Sequence, residues 1–302
     1  MMSIRLGTRG SKLALAQADF VSKLLEAQAL NLEVQIIVIK TKGDQLLNDP
    51  IWKIGDKGLF VKELETALQN NEIDLAVHSA KDLPAVIADD LCLAAFPERE
   101  DPSDVLVAKE SLTLNTLFPG AVVGTSALRR ESQLRSARPD LEIKMLRGNV
   151  DTRLRKLDEG AYDAIVVAKA GLNRLGIKRG IAISPDVMLP SPAQGALGLQ
   201  ARKNDDRILE QLQLLNHPPT SVCVNAERSF LAGMEGGCQL PIGALAHLLN
   251  DHLTIEGYLG SPDGKQTVRH KLQGNPDEAN EIGMKLADLL KTEGKSILKA
   301  LK

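Results

Sequence analysis

Short apolar runs alternate with longer amphipathic segments along the first part of the chain, and glycine, serine and charged residues stand at the junctions. Ile4 to Leu6 predict a strand and Leu13 to Ala27 predict a helix, joined by the turn Gly7 to Ser11. Val34 to Ile39 predict a second strand, and Leu59 to Gln69 predict an amphipathic helix. This repeated order of strand, turn and helix is typical of an α/β fold.

A segment without periodicity interrupts this order. Gln45 to Gly58 is rich in Gly, Asp and Lys and has no regular apolar spacing. We therefore predict a mobile loop there, which can act as a lid over a ligand.

The same landmarks occur twice along the chain in the same order, which predicts two similar lobes. Junctions of strand, glycine and helix are common in α/β proteins, so chance similarity is the alternative. If the duplication is real, two doubly wound lobes face each other, and anion-binding turns from both line the cleft. The corresponding segments are Gly7-Thr8 with Gly124-Thr125, Lys42-Gly43-Asp44 with Arg147-Gly148-Asn149, and Asp74 to Lys81 with Asp163 to Lys169.

Charged and proline-rich stretches divide the chain into three predicted domains. Glu98 to Ser103 and Pro190 to Pro192 are the two crossings between the lobes. Domain 1 takes residues 1–98 and 193–216, and domain 2 takes residues 99–192. Domain 3, residues 217–302, is predicted as a small α+β unit. Its elements are helices at Ser221 to Ala232 and Pro276 to Leu290 and an antiparallel sheet of Ile242 to Leu249, Leu253 to Leu259 and Gln266 to Leu272.

Composition limits the class of protein further. The chain has 302 residues, of which 43% are hydrophobic, 25% charged and 3% aromatic, with a formal net charge of -2. Surfaces that stack nucleic-acid bases need aromatic residues and a basic balance, so this composition argues against a nucleic-acid partner. An odd number of cysteines and no long apolar run near the start favour a reducing, cytoplasmic location without a membrane span. The five histidines show no zinc-site spacing, so we predict no metal.

The charge is unevenly distributed. Residues 129–179 carry nine arginines and four lysines against seven acids, a local net charge of +6. Solvated helix faces account for part of such a stretch. However, Arg129 and Arg130 follow the turn Gly124 to Ala127, and Arg147 stands at the end of another predicted strand. Because arginine binds carboxylates and phosphates with two parallel hydrogen bonds, these positions predict an anion pocket.

Asp82 is the lead candidate for a catalytic residue. The segment Asp74 to Pro84 begins as a buried strand and breaks into polar residues before a proline. This order places polar side chains at the carboxyl end of the strand, where open α/β sheets hold their ligands. A helix cap, or a surface ion pair with Lys81, is the alternative interpretation.

Cys238 is the cysteine with a predicted chemical role. It follows Gly236-Gly237 and precedes Pro241, which indicates a loop held open around one sulfur. An accessible thiol of this kind can be alkylated or form a thioether. Cys92 and Cys223 stand among apolar neighbours, and we interpret them as small buried hydrophobes.

Several motifs together resemble the hydroxymethylbilane synthase family, also called porphobilinogen deaminases. They are RLGTRGSKLALAQ, GLFVKELE, HSAKDLP, GTSALRR, LRGNVDTRL, AGLNRL and EGGCQLPIG, in this order along nearly the whole chain. The resemblance implies two lobes like those of periplasmic binding proteins and a third domain that carries a cysteine. It also implies a dipyrromethane cofactor bound by a thioether, here to Cys238.

The resemblance implies an activity as well. Members of the family join four porphobilinogen molecules head to tail, lose ammonia at each condensation, and release hydroxymethylbilane by hydrolysis. Asp82 matches the catalytic aspartate, which would stabilise the cationic azafulvene left when ammonia departs. Porphobilinogen would be the partner, and the family suggests a monomer. The substrate- and cofactor-binding positions that match are Arg9, Ser11, Lys81, Thr125, Ser126, Arg129, Arg130, Arg147, Arg153, Arg174 and Gln194.

Three positions depart from the family's pattern. Ala127 replaces a common serine, Ala193 a usual glycine and Gln200 a usual glutamate. They affect details of the crossing between the lobes more than the chemistry. The alternative function is a non-catalytic two-lobed binding protein for a polycarboxylate, which would need the arginines but neither Asp82 nor a reactive Cys238.

Overall fold

The computed structural model describes residues 2–28, 32–41, 61–235 and 240–301. The predicted loop Gln45 to Gly58 lies outside these residues. By their internal contacts the residues form two units, Met1–Glu100 with Gly195–Ser221 and Asp101–Gln194 with Val222–Lys302. The division into three domains with the predicted boundaries stays a prediction.

The described elements alternate between strand and helix through most of the chain. The strands are β1 (Met2–Arg9), β2 (Leu32–Ile39), β3 (Leu75–Ser79), β4 (Leu91–Ala95), β5 (Asp104–Ala108), β6 (Val122–Gly124), β7 (Glu142–Lys144), β8 (Ala164–Ala168), β9 (Ile181–Ala182), β10 (Leu197–Arg202), β11 (Ile242–Leu249), β12 (His252–Gly260) and β13 (Thr267–Gly274). The α-helices are α1 (Lys12–Gln28), α2 (Lys62–Gln69), α3 (Leu128–Ala137), α4 (Val150–Asp158), α5 (Lys169–Arg174), α6 (Asp206–Gln213), α7 (Pro218–Gly233), α8 (Ala279–Glu293) and α9 (Lys295–Ala300).

Lobe 1, the sheet of the first unit with its helices, has the strand order β2-β1-β3-β10-β4. β1 runs parallel to β2 and β3, whereas β10 runs antiparallel to β3 and β4. Helix α1 covers the sheet because Ala14, Ala18, Val21 and Leu25 recur at helical spacing and are buried. Ser11 caps its start, since the Ser11 Oγ accepts a hydrogen bond from the Ala14 N–H at 3.2 Å.

Lobe 2, the five-stranded sheet of the second unit with its helices, has the order β7-β6-β8-β5-β9. β6 is parallel to β7 and β8, and β5 is antiparallel to β8 and β9. Each strand of lobe 1 therefore has a counterpart of the same direction in the same place. The predicted similarity of the two lobes and the doubly wound α/β class are confirmed.

The registers of the two sheets match residue by residue. Gly7 pairs with Ala76 in lobe 1, and Gly124 pairs with Ile165 in lobe 2. An aspartate binds the neighbouring strand in both lobes: the carboxylate of Asp74 accepts from the Arg5 N–H at 2.9 Å, and that of Asp163 accepts from the Val122 N–H at 2.7 Å. The predicted correspondences of Gly7 with Gly124 and of Asp74 with Asp163 are therefore correct. The third one stays a prediction, because Lys42, Gly43 and Asp44 lie outside the described residues.

One predicted correspondence is wrong by a residue. Ala80 N–H donates to the Ala196 carbonyl, and Lys169 N–H donates to the Ser103 carbonyl in the same place of the other lobe. Lys169 is thus the counterpart of Ala80 and not of Lys81. The error arose because β3 and β8 have the same length, Leu75–Ser79 and Ala164–Ala168, while the lysine follows at different distances.

Strands β11, β12 and β13 form a three-stranded antiparallel sheet, as predicted. Helices α7 and α8 supply the other side of its core, where Phe230, Leu286 and Leu290 are fully buried. In the same unit this sheet contacts lobe 2 through helix α3. The Ser132 Oγ donates to the Ser261 carbonyl at 2.6 Å and lies 2.8 Å from the Tyr258 hydroxyl.

Candidate functional site

The carboxyl ends of β1 and β3 form one edge of lobe 1, because the two strands are parallel neighbours. Arg9 and Ser11 follow β1 along this edge. Lys81 and Asp82 follow β3 in a single turn of 3₁₀ helix, Ala80–Asp82. The Asp82 side chain is exposed, while Arg9, Ser11 and Lys81 are half-buried. The structure thus brings four of the predicted site residues to the same edge of one sheet.

Buried polar side chains hold the strand that leads to Asp82. Gln17 of α1 donates to the Ser79 hydroxyl at 2.8 Å. The Nε2 atom of His78 lies 2.9 Å from the Gln200 Oε1, and the Gln200 amide nitrogen donates to Glu65 at 2.8 Å. Gln200, one of the three departures from the family's pattern, is therefore fully buried and bonded on both ends.

Lobe 2 presents its predicted residues along the corresponding edge. β7, β6 and β8 are parallel neighbours, so the segments after them share one side of the sheet. Thr125 and Ser126 follow β6, and Arg147 follows β7. Arg153 lies in α4 and Arg174 at the end of α5. The three arginines Arg147, Arg153 and Arg174 are half-buried, so they keep access to solvent.

Hydrogen bonds to backbone carbonyls fix the two turns of this edge against each other. The Thr125 N–H donates to the Lys144 carbonyl at 3.0 Å, and the Ser126 Oγ donates to the Leu146 carbonyl at 2.6 Å. Arg153 Nε donates to the Gly148 carbonyl at 2.7 Å. Gly148 has a φ of 117°, and a Cβ there would lie 2.7 Å from the Thr152 side chain, so only glycine fits. Ser126, predicted as a donor to substrate, already donates its hydroxyl proton to the protein.

Arg129 and Arg130 are placed differently from the other arginines. Both are buried, and both bind Asp104, which is itself fully buried. Arg129 Nη1 donates to Asp104 Oδ2 at 2.7 Å, and Arg130 Nη2 donates to Asp104 Oδ1 at 2.8 Å. Burial alone would raise the pKa of Asp104, but the two guanidinium groups outweigh it and hold the pKa well below its usual range.

Gln194 belongs to the same cluster. Its amide nitrogen donates to the Pro102 carbonyl at 2.8 Å and to Asp104 Oδ1 at 2.9 Å. Sequence reasoning predicted Gln194, Arg129 and Arg130 but missed Asp104. The available signal was a charged residue directly before the apolar run Val105 to Val107, which becomes a buried strand.

The three cysteines have different positions. Cys238 lies outside the described residues, so its accessibility stays a prediction. Cys223 is buried, as predicted, but Cys92 is only half-buried, because its strand β4 is an edge strand of lobe 1. Burial still raises the pKa of the Cys92 thiol, and the Lys203 ammonium opposes that effect.

Two absences hold for the part of the chain that the structure describes. No group of three or more His, Cys, Asp or Glu side chains there is arranged to hold a metal ion. None of the helices described there combines the length and the apolar character needed to cross a membrane.

The described edges define a class of protein. Arginines at the strand ends of lobe 2 are typical of a protein that binds an anionic ligand. An exposed carboxylate at a strand end of lobe 1 is typical of an enzyme. Sequence comparison gives the family. The model "Porphobilinogen deaminase, dipyromethane cofactor binding domain" matches residues 4–210, and the model of the C-terminal domain matches residues 221–292. The chain belongs to the porphobilinogen deaminase family.

Individual relatives are similar over almost the whole chain. A porphobilinogen deaminase of Roseiflexus sp. (strain RS-1) is 50% identical over 291 residues, which are 96% of either chain. One of Trichlorobacter lovleyi is 47% identical over 98% of this chain and 95% of the relative. Among solved structures, the methionine-binding protein MetQ is 14% identical, covers 70% of this chain and 89% of its own, and has a TM-score of 0.45.

Proposed function

We propose that this chain catalyses the porphobilinogen deaminase reaction. Four porphobilinogen molecules are joined head to tail, each with loss of ammonia, and the linear tetrapyrrole hydroxymethylbilane is released by hydrolysis. The observation that carries the proposal is the match of both family models, which together span residues 4–210 and 221–292. The chain is accordingly a transferase of tetrapyrrole biosynthesis.

Asp82 is the catalytic residue in this proposal. Its carboxylate stands exposed at the end of β3, where a substrate can approach it. As ammonia leaves porphobilinogen, positive charge develops on the pyrrole ring. A fixed carboxylate nearby stabilises that charge more than it stabilises the uncharged ring of the ground state. The lowered barrier is the source of catalysis.

Carboxylate binding is the task of the basic residues. Each porphobilinogen carries an acetate and a propionate, so a growing chain is a polyanion. Arg147, Arg153 and Arg174 are half-buried on lobe 2, a placement that keeps part of each side chain accessible while limiting its solvation. Arg129 and Arg130 add charge, since Asp104 neutralises only one of their two positive charges. The remaining proposed contacts are Arg9, Ser11, Lys81, Thr125, Ser126 and Gln194.

The donor set fits the family's dipyrromethane cofactor, which is also a polycarboxylate. When bound, this group supplies the pyrrole carbon to which the first substrate is joined. We propose that Cys238 holds it by a thioether. The half-buried arginines of lobe 2 would then bind its carboxylates and orient it, because charge-assisted hydrogen bonds contribute roughly 1.5–3 kcal/mol each.

Intact mass spectrometry tests the function and the attachment together. Wild-type protein should weigh more than its sequence by two linked pyrroles, and Cys238→Ala should lack this excess. Cys92→Ala is the matched control, because Cys92 is a half-buried thiol of lobe 1 and its replacement should leave the excess in place. Porphobilinogen is then added, and release of ammonia and of a tetrapyrrole is measured. If wild type gains no mass and releases neither product, the proposed function is wrong.

The non-catalytic binding protein is not favoured as an alternative, since the deaminase models match both the lobes and the C-terminal region. We also propose a monomer that works in the cytoplasm and has no nucleic-acid partner. Size-exclusion chromatography with light scattering tests the monomer, for which a mass close to 32.6 kDa is expected. Binding to DNA that falls steeply with salt would contradict the last point.

A further inference from the structure

Asp104 is the most completely bonded carboxylate that lies beside the proposed substrate-binding residues. It is the first residue of β5, and its side chain is fully buried. Its Oδ1 accepts from Arg130 Nε at 3.2 Å, from Arg130 Nη2 at 2.8 Å and from Gln194 Nε2 at 2.9 Å. Its Oδ2 accepts from Arg129 Nη1 at 2.7 Å. One carboxylate therefore bonds three side chains of the proposed binding set.

The two arginines have further anchors in the backbone. Arg129 Nη1 also donates to the Leu189 carbonyl at 2.6 Å, and Arg130 Nη1 donates to the Val166 carbonyl at 2.9 Å. All three nitrogens of the Arg130 guanidinium are thus used. Arg129 differs, because its Nε and Nη2 donate to no acceptor among the described residues. Arg129 therefore keeps donors that it can offer to a carboxylate.

Such anchoring matters because a free arginine side chain has considerable rotamer freedom. Ordering it on binding costs about 2 kcal/mol. Because Asp104 binds the arginines in the folded protein, their side chains are ordered before a ligand binds. A ligand carboxylate therefore meets a guanidinium that is already in place. The arginines lie in the first turn of helix α3, which begins at Leu128 shortly after Thr125 and Ser126, so the cluster also fixes that turn.

Lobe 1 shows that the shared strand arrangement can also form with an apolar residue at the place of Asp104. The registers of β3 with β10 and of β8 with β5 make Leu197 the counterpart of Asp104. Leu197 is buried in an apolar core. The same place in the same architecture is therefore filled by a hydrophobic residue where no arginine pair follows.

We infer that Asp104 is a positioning residue for carboxylate binding. Together with the fully bonded Arg130, it holds Arg129 in the orientation that offers its remaining donors to substrate and cofactor. The inference rests on the proposed function. It assigns Asp104 no contact with the reacting atoms, so its loss should raise KM for porphobilinogen more than it lowers kcat.

The test compares Asp104→Asn with a control at another buried carboxylate that binds two arginines. Asp74→Asn removes a buried carboxylate of lobe 1 that binds Arg5 and Arg202, neither of which is a proposed site residue. Rates are divided by the fraction of protein that carries the cofactor, measured by intact mass. Asp104→Asn should raise KM roughly tenfold or more, the loss expected for one charge-assisted bond. Asp74→Asn should leave KM within a factor of about two. Asp104→Glu should restore part of the affinity.

A second measurement needs no activity and no variant. In the wild type, the Arg130 Nε–H bonded to Asp104 should exchange slowly with solvent by NMR, whereas the Nε–H of the exposed Arg155 should exchange fast. If Asp104→Asn does not fold, the exchange rate of the Arg130 Nε–H and the KM of Asp104→Glu still test the inference. Any of three results would overturn the inference. They are a wild-type KM for porphobilinogen in a folded Asp104 variant, an equal rise of KM in Asp74→Asn, and fast exchange of the Arg130 Nε–H. Absence of tetrapyrrole from the wild type would instead reject the proposed function, and the exchange rates would still report on the cluster.

Discussion

Lobe 1 and lobe 2 share their strand order and register, but they place their carboxylates differently. At the end of β3, lobe 1 has Lys81 and an exposed Asp82. The same two places after β8 hold Ala170 and Gly171, which are buried. At the start of the inserted antiparallel strand, lobe 1 has the apolar Leu197, whereas lobe 2 has Asp104 bound to two arginines.

The difference shows how one scaffold can support two tasks. A carboxylate exposed at a strand end is available to a substrate, so lobe 1 is suited to catalysis. A carboxylate buried under arginines is unavailable, but it orders cations that bind a substrate's own carboxylates, so lobe 2 is suited to binding. The predictions below test this separation of catalysis and binding, beginning with the largest effect.

Asp82→Asn should abolish turnover while the protein stays folded. The amide keeps the size of the side chain and removes the charge that stabilises the transition state, a loss of at least about 10²-fold in kcat. Ammonia release and the thermal unfolding midpoint are measured together. Asp89→Asn, an exposed aspartate of the same lobe, is the control and should retain activity. Ammonia release at the wild-type rate from Asp82→Asn would end the catalytic assignment of lobe 1.

The two strand-binding aspartates should differ in their contribution to stability. Asp74 binds the Arg5 and Arg202 guanidinium groups as well as the Arg5 N–H. Asp163 accepts from the Val122 N–H and, within the described ranges of the chain, from no other donor. We expect Asp74→Asn to lower the free energy of unfolding by about 3 kcal/mol and Asp163→Asn by about 1 kcal/mol. Urea unfolding monitored by circular dichroism gives both values. Equal losses would show that the ion pairs of lobe 1 add nothing to the shared hydrogen bond.

The same carboxylate predicts a pH dependence. Burial alone would raise the pKa of Asp74, but the bonds from Arg5 and the charge of Arg202 outweigh it and hold the pKa below its ordinary value. The resulting stability is present above the ordinary pKa of about 3.9 and is lost as the pH falls through the lower folded value. Between about pH 5 and pH 3, Asp74→Asn should therefore lose less stability than the wild type does. If the free energies of unfolding of the two proteins fell in parallel with pH, the lowered pKa of Asp74 would be contradicted.

Two neighbouring arginines of α4 should separate binding from surface charge in lobe 2. Arg153 is half-buried at the proposed site, while Arg155 is exposed and pairs with Glu159 one turn away. Arg153→Ala should raise KM for porphobilinogen roughly tenfold. Arg155→Ala should have no measurable effect on KM, since exposed pairs contribute about 0–1 kcal/mol. A similar rise in both would mean that only the net charge of the lobe matters.

The smallest expected effect concerns Ala193, near the point where the chain leaves lobe 2. Ala193 has a φ of 60°, a conformation that favours glycine, and its N–H donates to Glu227 at 2.5 Å. Ala193→Gly should stabilise the protein by about 1 kcal/mol or less, because relief of strain exceeds the entropy that glycine adds to the unfolded chain. Ala196→Gly, close by at ordinary φ, should destabilise it. Urea unfolding gives the free energy of unfolding of both variants. A lower value than wild type in both would show that Ala193 is not strained.

Periodicity predicted the regular elements well. Helix α1 was predicted as Leu13 to Ala27 and spans Lys12–Gln28, because its apolar stripe is continuous. Strand β11 was predicted without error as Ile242 to Leu249. Strands β4, β5 and β9 were not predicted. The two residues of β9 are too few for any period.

The site was predicted by position more than by environment. Strand ends and arginines could be found in the sequence, and the structure brings them to the expected edges. The burial of Arg129 and Arg130 could not be predicted, because their partner Asp104 lies 25 and 26 residues earlier and no local pattern connects them. Pairings of this kind depend on which strand is inserted into which sheet, and they become visible only when the topology is known.

That topology has a consequence for synthesis on the ribosome. The strands of lobe 2 are contiguous, from Asp104 to Ala182, whereas lobe 1 needs β10 between β3 and β4. Lobe 1 therefore stays incomplete, with its sheet edges unpaired, while about 100 further residues are translated, which takes about 5–20 s. The lobe that is made first is the lobe that is finished last, and it is exposed to aggregation for the whole of that interval.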